Sequence, residues 1–229
     1  MSVRGFFVTG TDTGVGKSLV ACALLHALAA RGLRVVGMKP VAAGAQLQNG
    51  VWVNEDVEQL IAASNVVAPR EQVNPYCFEP PIAPHIAAEI NFNFIKINKL
   101  NKSFQALSAL ANIVIVEGAG GFCVPLNDSE TSADLARELA LPVVLVVGMR
   151  LGCINHALLT AEAVRARGLV LAGWVANHVT PDMLHADANV AALQARLAAP
   201  LLARIAFYEQ PQADAIAPQF DVRSLLAAD

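Results

Sequence analysis

The sequence from residue 10 to residue 18 reads Gly10-Thr11-Asp12-Thr13-Gly14-Val15-Gly16-Lys17-Ser18. An apolar run over residues 5–9 precedes it, and a helical pattern begins near its end. A strand that leads through a glycine-rich turn into a helix is typical of a phosphate-binding loop, because backbone N–H groups and the helix dipole point at one spot. In such a loop the lysine reaches the β- and γ-phosphates and the next hydroxyl ligates Mg²⁺. We therefore expect Lys17 and Ser18 to bind a nucleotide.

The loop departs from the usual spacing. Five residues separate Gly10 from Gly16, whereas the usual pattern has four, and Thr11 stands where the first glycine belongs. An ordinary strand–helix turn is the alternative. The strand and helix patterns on either side favour nucleotide binding.

The composition indicates a sheet that is covered on both faces. Hydrophobic residues make up 55% of the 229 residues and charged residues only 15%. No apolar stretch approaches the roughly 18–20 residues that span a bilayer, so we expect no membrane segment. Parallel strands that are buried on both faces explain such a composition. We expect residues 1–229 to form a single P-loop nucleotide-binding domain.

Short β-rich runs alternate with helical patterns along the chain. The candidate strands are residues 5–9, 34–38, 113–117, 143–148, 171–176 and 201–206. The candidate helices are residues 17–31, 56–64, 99–111, 132–139, 156–167 and 181–197. This alternation predicts an α/β fold of the P-loop NTPase type, with a doubly wound, mostly parallel sheet and helices on both faces. Ligand groups in such a sheet gather at the carboxyl ends of the strands.

Two stretches are less regular. Residues 73–85 contain four prolines, which predict a stiff, non-helical segment on the surface. Residues 91–102 are rich in Asn and Lys with alternating Phe and Ile, a pattern that favours an exposed strand leading into a helix.

Charge and cysteine usage exclude several classes of protein. The net charge is −3 and no basic stripe is visible, so we expect no nucleic-acid partner. The four cysteines are far apart in sequence, which excludes a disulfide or zinc framework and indicates a reducing compartment. Nothing at the N-terminus resembles an export signal. We therefore expect a cytoplasmic protein.

Two charged residues stand where a candidate strand ends. Lys39 comes before Pro40, which cannot donate to a ladder, so the chain turns there and leaves the ammonium group near the ligand edge, either solvated or on a phosphate. Glu117 follows four buried apolar residues, and a carboxylate in that position needs a cation. Either a metal ion or a structural ion pair would supply it.

Two further segments have both a structural and a functional interpretation. Asp56 begins a helix as an N-cap or a first-turn acid, but beside Ser18 and Glu117 it would complete a set of hard oxygen ligands for Mg²⁺. The turn from Gly152 to Asn155 precedes a helix and offers free N–H groups to an anion. An ordinary helix capped by Asn155 is the alternative.

Together these segments resemble the dethiobiotin synthetases, the ATP-dependent carboxylases of biotin biosynthesis. The likeness covers nearly the whole chain. It rests on Val8-Thr9-Gly10-Thr11-Asp12-Thr13, Val15-Gly16-Lys17, Lys39-Pro40-Val41-Ala42, Asn74-Pro75-Tyr76, Pro84-His85, Val116-Glu117-Gly118-Ala119-Gly120-Gly121, Leu151-Gly152-Cys153-Ile154-Asn155-His156 and Ala172-Gly173-Trp174-Val175-Ala176-Asn177.

The resemblance implies a homodimeric ligase that acts on 7,8-diaminopelargonate, CO₂ and Mg-ATP. One amine takes up CO₂ as a carbamate, the carbamate oxygen attacks the γ-phosphate, and the second amine closes the ureido ring and expels phosphate. Positioning and charge neutralisation dominate phosphoryl transfer, and Lys17, Lys39 and Mg²⁺ supply positive charge.

The resemblance also implies a role for each matching residue. Catalytic roles fall on Lys39, Lys17 and Thr13, and the metal ligands are Ser18, Asp56 and Glu117. ATP-binding roles fall on Gly14, Val15, Gly16, Lys17, Ser18, Leu19, Asp56, Glu117, Gly118, Ala119, Gly120, Asn177, His178, Ala206, Phe207 and Tyr208, with Asn177 at the adenine edge. Substrate-binding roles fall on Thr13, Lys39, Ala43 and, across the dimer interface, Gly152, Cys153, Ile154 and Asn155.

Three positions depart from the family pattern. Gly14 replaces an acidic residue of some members, Ala43 a serine near the substrate, and Ala206 a proline in the base-binding segment. These departures bear on affinity and nucleotide selectivity more than on the type of reaction.

Other interpretations of the loop remain. The main alternative is a nucleotide switch related to the partition and division-site ATPases, but these carry a signature lysine where this chain has Asp12. Cobyrinate amide-forming synthetases usually carry a glutamine-hydrolysing domain, which we do not expect after residue 210. A pure binding module would not need a metal-ligating Glu beside two lysines.

Overall fold

The computed structural model describes residues 5–226. In its first half the elements are β1 Gly5–Gly10, α1 Lys17–Ala29, β2 Val35–Met38, β3 Val41–Ala43, β4 Gln46–Gln48, β5 Val51–Val53, α2 Glu55–Ala63, α3 Arg70–Val73, β6 Tyr76–Phe78, α4 Pro84–Ile90 and α5 Ile97–Leu110. The second half contains β7 Ile113–Glu117, α6 Ser132–Glu138, β8 Val143–Met149, α7 Cys153–Ala166, β9 Leu171–His178, α8 Ala186–Leu197, β10 Leu201–Ile205, α9 Ala213–Ile216, a 3-10 turn Ala217–Gln219 and α10 Arg223–Leu226.

The central sheet has six strands in the order β10-β9-β8-β1-β7-β2, and each neighbouring pair is parallel. The central strands β1, β7 and β8 are predominantly apolar and buried along their whole length, as a sheet covered on both faces requires. Successive side chains of β1 alternate between two cores: Phe6 and Val8 pack with α1, whereas Phe7 packs on the opposite face. The predicted doubly wound α/β fold is therefore confirmed.

All six candidate strands and all six candidate helices are present, but several of their bounds differ from those expected from the sequence. The helix expected over residues 181–197 begins only at Ala186, because Pro181 lies in a turn and His185 takes a left-handed conformation with φ 53°. The helix expected from residue 156 begins earlier, at Cys153, because Gly152 already provides the left-handed cap. The suggestion that Asn155 caps this helix is therefore wrong.

The two irregular stretches differ from expectation. Residues 91–96 form a turn and coil rather than an exposed strand, and α5 starts at Ile97. Residues 73–85 are not simply a surface segment, since Tyr76 and Phe78 are buried and β6 pairs with β3. The prolines flank this short strand rather than interrupt it, and Pro84 opens α4 at a position where a missing N–H does no harm.

A capping box fixes the start of α6. The backbone N–H and the hydroxyl of Thr131 donate to Asp134 Oδ2 over 2.9 and 2.7 Å, and Arg167 donates to Asp134 Oδ1 over 2.6 Å. Burial alone would raise the pKa of Asp134, but the Thr131 hydrogen bonds and Arg167 together lower it.

We expect Asp134→Ala to lower the free energy of unfolding by about 1–2 kcal/mol, because the backbone N–H and the hydroxyl of Thr131 lose their acceptor. A carboxyl whose pKa is lower in the folded state stabilises the protein above its unfolded-state pKa, and this contribution is lost as the pH falls through the folded-state pKa. Urea unfolding at neutral and acidic pH measures both effects. The exposed Asp128→Ala is the control, and an equal change in both variants would contradict the capping role.

Candidate active site

The phosphate loop lies at the carboxyl edge of the sheet, between β1 and α1. Gly14 and Gly16 have φ of 73° and 87°, left-handed values that glycine adopts without strain. The Lys17 ammonium group is buried and donates to the Asp12 carbonyl oxygen over 3.1 Å. Burial, followed by the nearby Lys39 charge, lowers the pKa of Lys17. This lysine is thus held at the loop in a setting that favours an anionic neighbour.

Four side chains from four elements meet beside this loop. Lys39 follows β2, Glu117 ends β7, Asp56 lies in the first turn of α2 and Ser18 in the first turn of α1. Lys39 Nζ is 2.5 Å from Glu117 Oε1 and 2.8 Å from Asp56 Oδ2. Ser18 Oγ is 2.8 Å from both Asp56 Oδ1 and Glu117 Oε1. The strand-end residues therefore converge as the sequence predicts.

Burial gives this cluster unusual electrostatics. Glu117 is only 1% exposed, and its burial, opposed by the Lys39 charge, raises its pKa above the usual range. Burial alone would lower the pKa of Lys39, but Glu117 and then Asp56 raise it. Burial also disfavours the ionised form of Asp56, yet the Lys39 charge and hydrogen bond lower its pKa overall. Of the two alternatives for Glu117, the ion pair is present, and Lys39 is buried rather than solvated.

The oxygen atoms of the cluster fit a hard divalent cation. A single hydroxyl donates to one acceptor at a time, so Ser18 cannot satisfy both carboxylates together. Glu117 Oε2 is buried without a hydrogen-bond partner in the described part of the chain. Within residues 5–226 no group of three or more His, Cys, Asp or Glu could hold a metal ion by itself. Because Mg²⁺ accepts phosphate and water oxygens beside one or two carboxylates, Ser18, Asp56 and Glu117 fit it only together with a nucleotide.

A cavity of about 720 Å³ opens onto this cluster. Of the sequence-predicted site residues it is lined by Thr13, Gly14, Gly16, Lys17, Ser18, Lys39, Ala43, Asp56, Glu117, Ala119 and Gly120. Its apolar wall consists of Val41, Pro81, Ile82, Ala83, Pro84 and Val124, which sequence reasoning did not assign to the site. The only sequence signal for this wall was the proline cluster at residues 80–84. It indicates a rigid segment, but it does not indicate where that segment packs.

The residues predicted to bind the nucleotide base lie elsewhere. His178, Ala206 and Phe207 line a second cavity of about 730 Å³, together with Arg204 and Asp187. Burial, followed by the Arg204 charge, lowers the pKa of His178. Tyr208 is exposed on the same segment.

Asn177 connects the base segment to the phosphate loop. It is buried at the end of β9 and donates from Nδ2 to the Val15 carbonyl oxygen over 2.8 Å. Besides its predicted role at the adenine edge, Asn177 therefore has a structural role, because it holds the loop at Val15. The cavity beside the cluster is not lined by Val15, a buried residue of the loop, or by Leu19 or Gly118.

The turn before α7 does not reach this cavity. Gly152 caps the helix with φ 92°, and Cys153, Ile154 and Asn155 form its first turn. None of these four residues lines the cavity of its own chain.

Comparison with known proteins identifies the family. The sequence matches the family described as AAA domain over residues 4–214. The ATP-dependent dethiobiotin synthetase of Aromatoleum aromaticum is 57% identical over 199 residues, 87% of this chain and 88% of that protein. That of Nitrosospira multiformis is 56% identical over 219 residues, 96% of this chain and 95% of that protein. The chain belongs to the dethiobiotin synthetase family.

Solved structures show how widely the fold of this synthetase family is shared. The cell division protein MinD of Aquifex aeolicus is 17% identical, has a TM-score of 0.53, and the match covers 96% of this chain and 88% of MinD. A ParA family ATPase of Chlorobium tepidum is 12% identical, has a TM-score of 0.53, and the match covers 96% and 91% of the two chains. At these identities the likeness concerns the fold alone, so it does not favour the nucleotide switch over the synthetase.

No helix between Gly5 and Leu226 is long and apolar enough to cross a bilayer.

Gly16→Ala tests whether Asn177 and the loop need their close contact. A Cβ at residue 16 would lie 2.3 Å from Asn177 Nδ2, in a backbone with φ 87°. We expect the affinity for ATP, measured by calorimetry, to fall about tenfold, because left-handed strain and a displaced Asn177 distort the loop. Gly32→Ala is the matched control, since its φ is 79° and nothing lies within 4 Å of the added Cβ. Equal affinities in the two variants would contradict this prediction.

Proposed function

We propose that this chain catalyses the ATP-dependent closure of 7,8-diaminopelargonate and CO₂ to dethiobiotin, as a cytoplasmic homodimer with one P-loop domain in each chain. The observation that carries the proposal is the cluster of Lys39, Asp56, Glu117 and Ser18 beside Lys17, in a chain that belongs to the dethiobiotin synthetase family. Four free cysteines among the described residues are compatible with a reducing cytoplasm.

The proposed reaction has three steps. A neutral amine of the substrate adds to the carbon of CO₂ and loses a proton, which gives a carbamate. A carbamate oxygen then attacks the γ-phosphorus and ADP departs, which leaves a carbamic–phosphoric anhydride. The second amine attacks the carbonyl carbon of the anhydride and loses a proton, phosphate departs with the bonding electrons, and the ureido ring closes.

The two lysines have distinct roles in this proposal. Lys17, whose pKa is lowered by burial, would bind the β- and γ-phosphates, which favour its charged form. Lys39 would contact the carbamate and transferring phosphoryl oxygens, where negative charge grows in the transition state. Mg²⁺ held by Ser18, Asp56 and Glu117 would neutralise phosphate charge and orient the nucleotide. In that state Lys39 would be released from Glu117 for the reacting oxygens.

The remaining contacts follow from the walls of the cavity. The aliphatic chain of the diamine would pack on the apolar wall with Ile82, Pro84 and Val124, and Thr13 would contact an amine. Ala43 offers no hydroxyl at the substrate position. As the family resemblance implies, we propose that Gly152, Cys153, Ile154 and Asn155 bind the substrate carboxylate at the site of a second copy. They do not line the cavity of their own chain. We propose that the base packs near Asn177, His178 and the segment of Ala206, Phe207 and Tyr208, with loop contacts from Val15, Leu19, Gly118, Ala119 and Gly120.

Release of ADP with and without substrates tests the proposal. The protein is incubated with Mg-ATP alone, with bicarbonate, and with bicarbonate plus 7,8-diaminopelargonate, and the product is identified by mass spectrometry. We expect rapid ADP release only in the complete mixture, with one dethiobiotin formed per ADP. Release that is indifferent to both additions would overturn the proposal and favour the nucleotide switch.

A further inference from the structure

Arg150 connects the phosphate loop to the turn that precedes α7. It follows β8, and its guanidinium contacts Asp12 Oδ2 in the loop. Both side chains are about half exposed, and neither has a role in the function proposed above. The contact joins residues 138 positions apart in sequence. Arg150 lies two residues before Gly152, the glycine that caps α7.

Asp12 in turn contacts two residues of the proposed site. Its Oδ1 accepts a hydrogen bond from the backbone N–H of Thr13 over 2.7 Å. Its backbone carbonyl oxygen accepts from Lys17 Nζ over 3.1 Å. The orientation of the Asp12 peptide and carboxylate therefore sets where Thr13 and the Lys17 ammonium group point.

The loop has a separate attachment to β8 that does not depend on Arg150. The Thr11 N–H donates to the Val146 carbonyl oxygen over 3.0 Å, and the Gly148 N–H donates to Thr11 Oγ1 over 3.4 Å. These contacts hold the stem of the loop, so loss of the ion pair leaves the fold intact. An exposed ion pair also contributes little to stability. What the ion pair adds is the orientation of Asp12.

We propose that Arg150 is a positioning residue that acts through Asp12 to orient Thr13 and Lys17 and couples them to the Gly152 turn. This inference rests on the proposed function. Small displacements of positioning groups slow reactions strongly because the reacting atoms lose their alignment, whereas they change stability little. The ion pair should therefore influence kinetics more than unfolding.

Four single variants, and the double variant that combines Arg150→Gln with Asp12→Asn, test the inference. Arg150→Gln and Asp12→Asn each remove one charge of the ion pair, and Asn at residue 12 can still accept from the Thr13 N–H. Arg150→Lys retains a cation. Arg223→Gln is the control, because it removes an exposed ion pair with Asp221 elsewhere on the surface. We expect the two charge-removing variants to lower kcat/KM for the diamine about tenfold and to weaken ATP binding about threefold, with Tm unchanged within about 2 °C. Arg150→Lys should stay within about threefold of wild type, and the double variant should be no worse than either single variant.

Three results would overturn the inference. They are wild-type kinetics and ATP affinity in both charge-removing variants, losses that Arg223→Gln reproduces, or fully additive losses in the double variant. If the wild-type protein forms no dethiobiotin, the proposed function fails. The inference is then decided by ATP affinity, which should fall in Arg150→Gln and recover in Arg150→Lys, and which would overturn the inference if it does not change.

Discussion

Lys39→Met is expected to lower kcat at least a hundredfold while the affinity for ATP stays within about threefold of wild type. In the proposed reaction Lys39 would lie where charge grows on the carbamate and the transferring phosphoryl group, whereas Lys17 and the loop would provide most of the binding in the ground state. An interaction that strengthens only in the transition state affects kcat rather than affinity. Single-turnover ADP formation and calorimetry measure the two quantities.

The same substitution should destabilise the ligand-free protein. Lys39 Nζ is within 2.8 Å of two carboxylates, one of which is only 1% exposed. Removing one partner of a buried ion pair costs about 3–5 kcal/mol, because the remaining charge is uncompensated. Mg²⁺ with ATP should restore more stability to Lys39→Met than it adds to wild type, because the cation replaces the missing ammonium group.

Loss of Lys39 should also change how stability depends on pH. Burial already raises the pKa of Glu117, and without the Lys39 charge its folded-state pKa rises further. The folded protein then binds more protons than the unfolded chain, so the free energy of unfolding falls as the pH rises from the unfolded-state pKa to the folded-state pKa. We expect a steeper fall above the usual carboxyl pKa in the variant than in wild type.

The exposed Lys102→Met is the control for charge and hydrophobicity. It should leave kcat, the unfolding free energy and its pH dependence unchanged. Near-normal kcat in Lys39→Met at saturating substrates would remove Lys39 from the mechanism. An unchanged unfolding free energy would show that the Glu117 charge is not held by Lys39.

The convergence of the site could be predicted because it follows from strand ends. Lys39 and Glu117 each follow an apolar run, and parallel strands bring their carboxyl ends to one edge. Such reasoning needs only the periodicity of the chain. It does not distinguish an ion pair from a metal site, because both would use the same residues.

The cavity wall could not be predicted because it depends on packing between distant segments. Proline at residues 80–84 indicates rigidity, but the contact of Ile82 and Pro84 with the site arises from the pairing of β3 with β6, a three-residue strand too short to show alternation. The hydrogen bond from Asn177 to Val15 joins residues 162 positions apart and leaves no local pattern. The left-handed conformation of His185 likewise sets the start of α8 at a place where no glycine marks the boundary.

Glu117→Gln is the other substitution with a large expected effect. It keeps the shape of the side chain and an oxygen for Lys39, but removes the negative charge that a cation would require. We expect the Mg²⁺ concentration for half-maximal activity to rise at least tenfold and kcat to fall about a hundredfold. The free energy of unfolding should change by less than about 2 kcal/mol, since Lys39 keeps Asp56 as its partner and a costly buried charge disappears.

Glu55→Gln makes the same change of charge next to Asp56, on an exposed side chain that accepts from Gln59, and should leave the Mg²⁺ titration unaltered. The comparison thus distinguishes loss of a metal ligand, which would affect only Glu117→Gln, from a general electrostatic effect, which would affect both variants. An unchanged Mg²⁺ titration in Glu117→Gln would assign this carboxylate to the ion pair with Lys39 alone. The unpartnered Glu117 Oε2 argues against that outcome, because a purely structural carboxylate buried this deeply would use both oxygens.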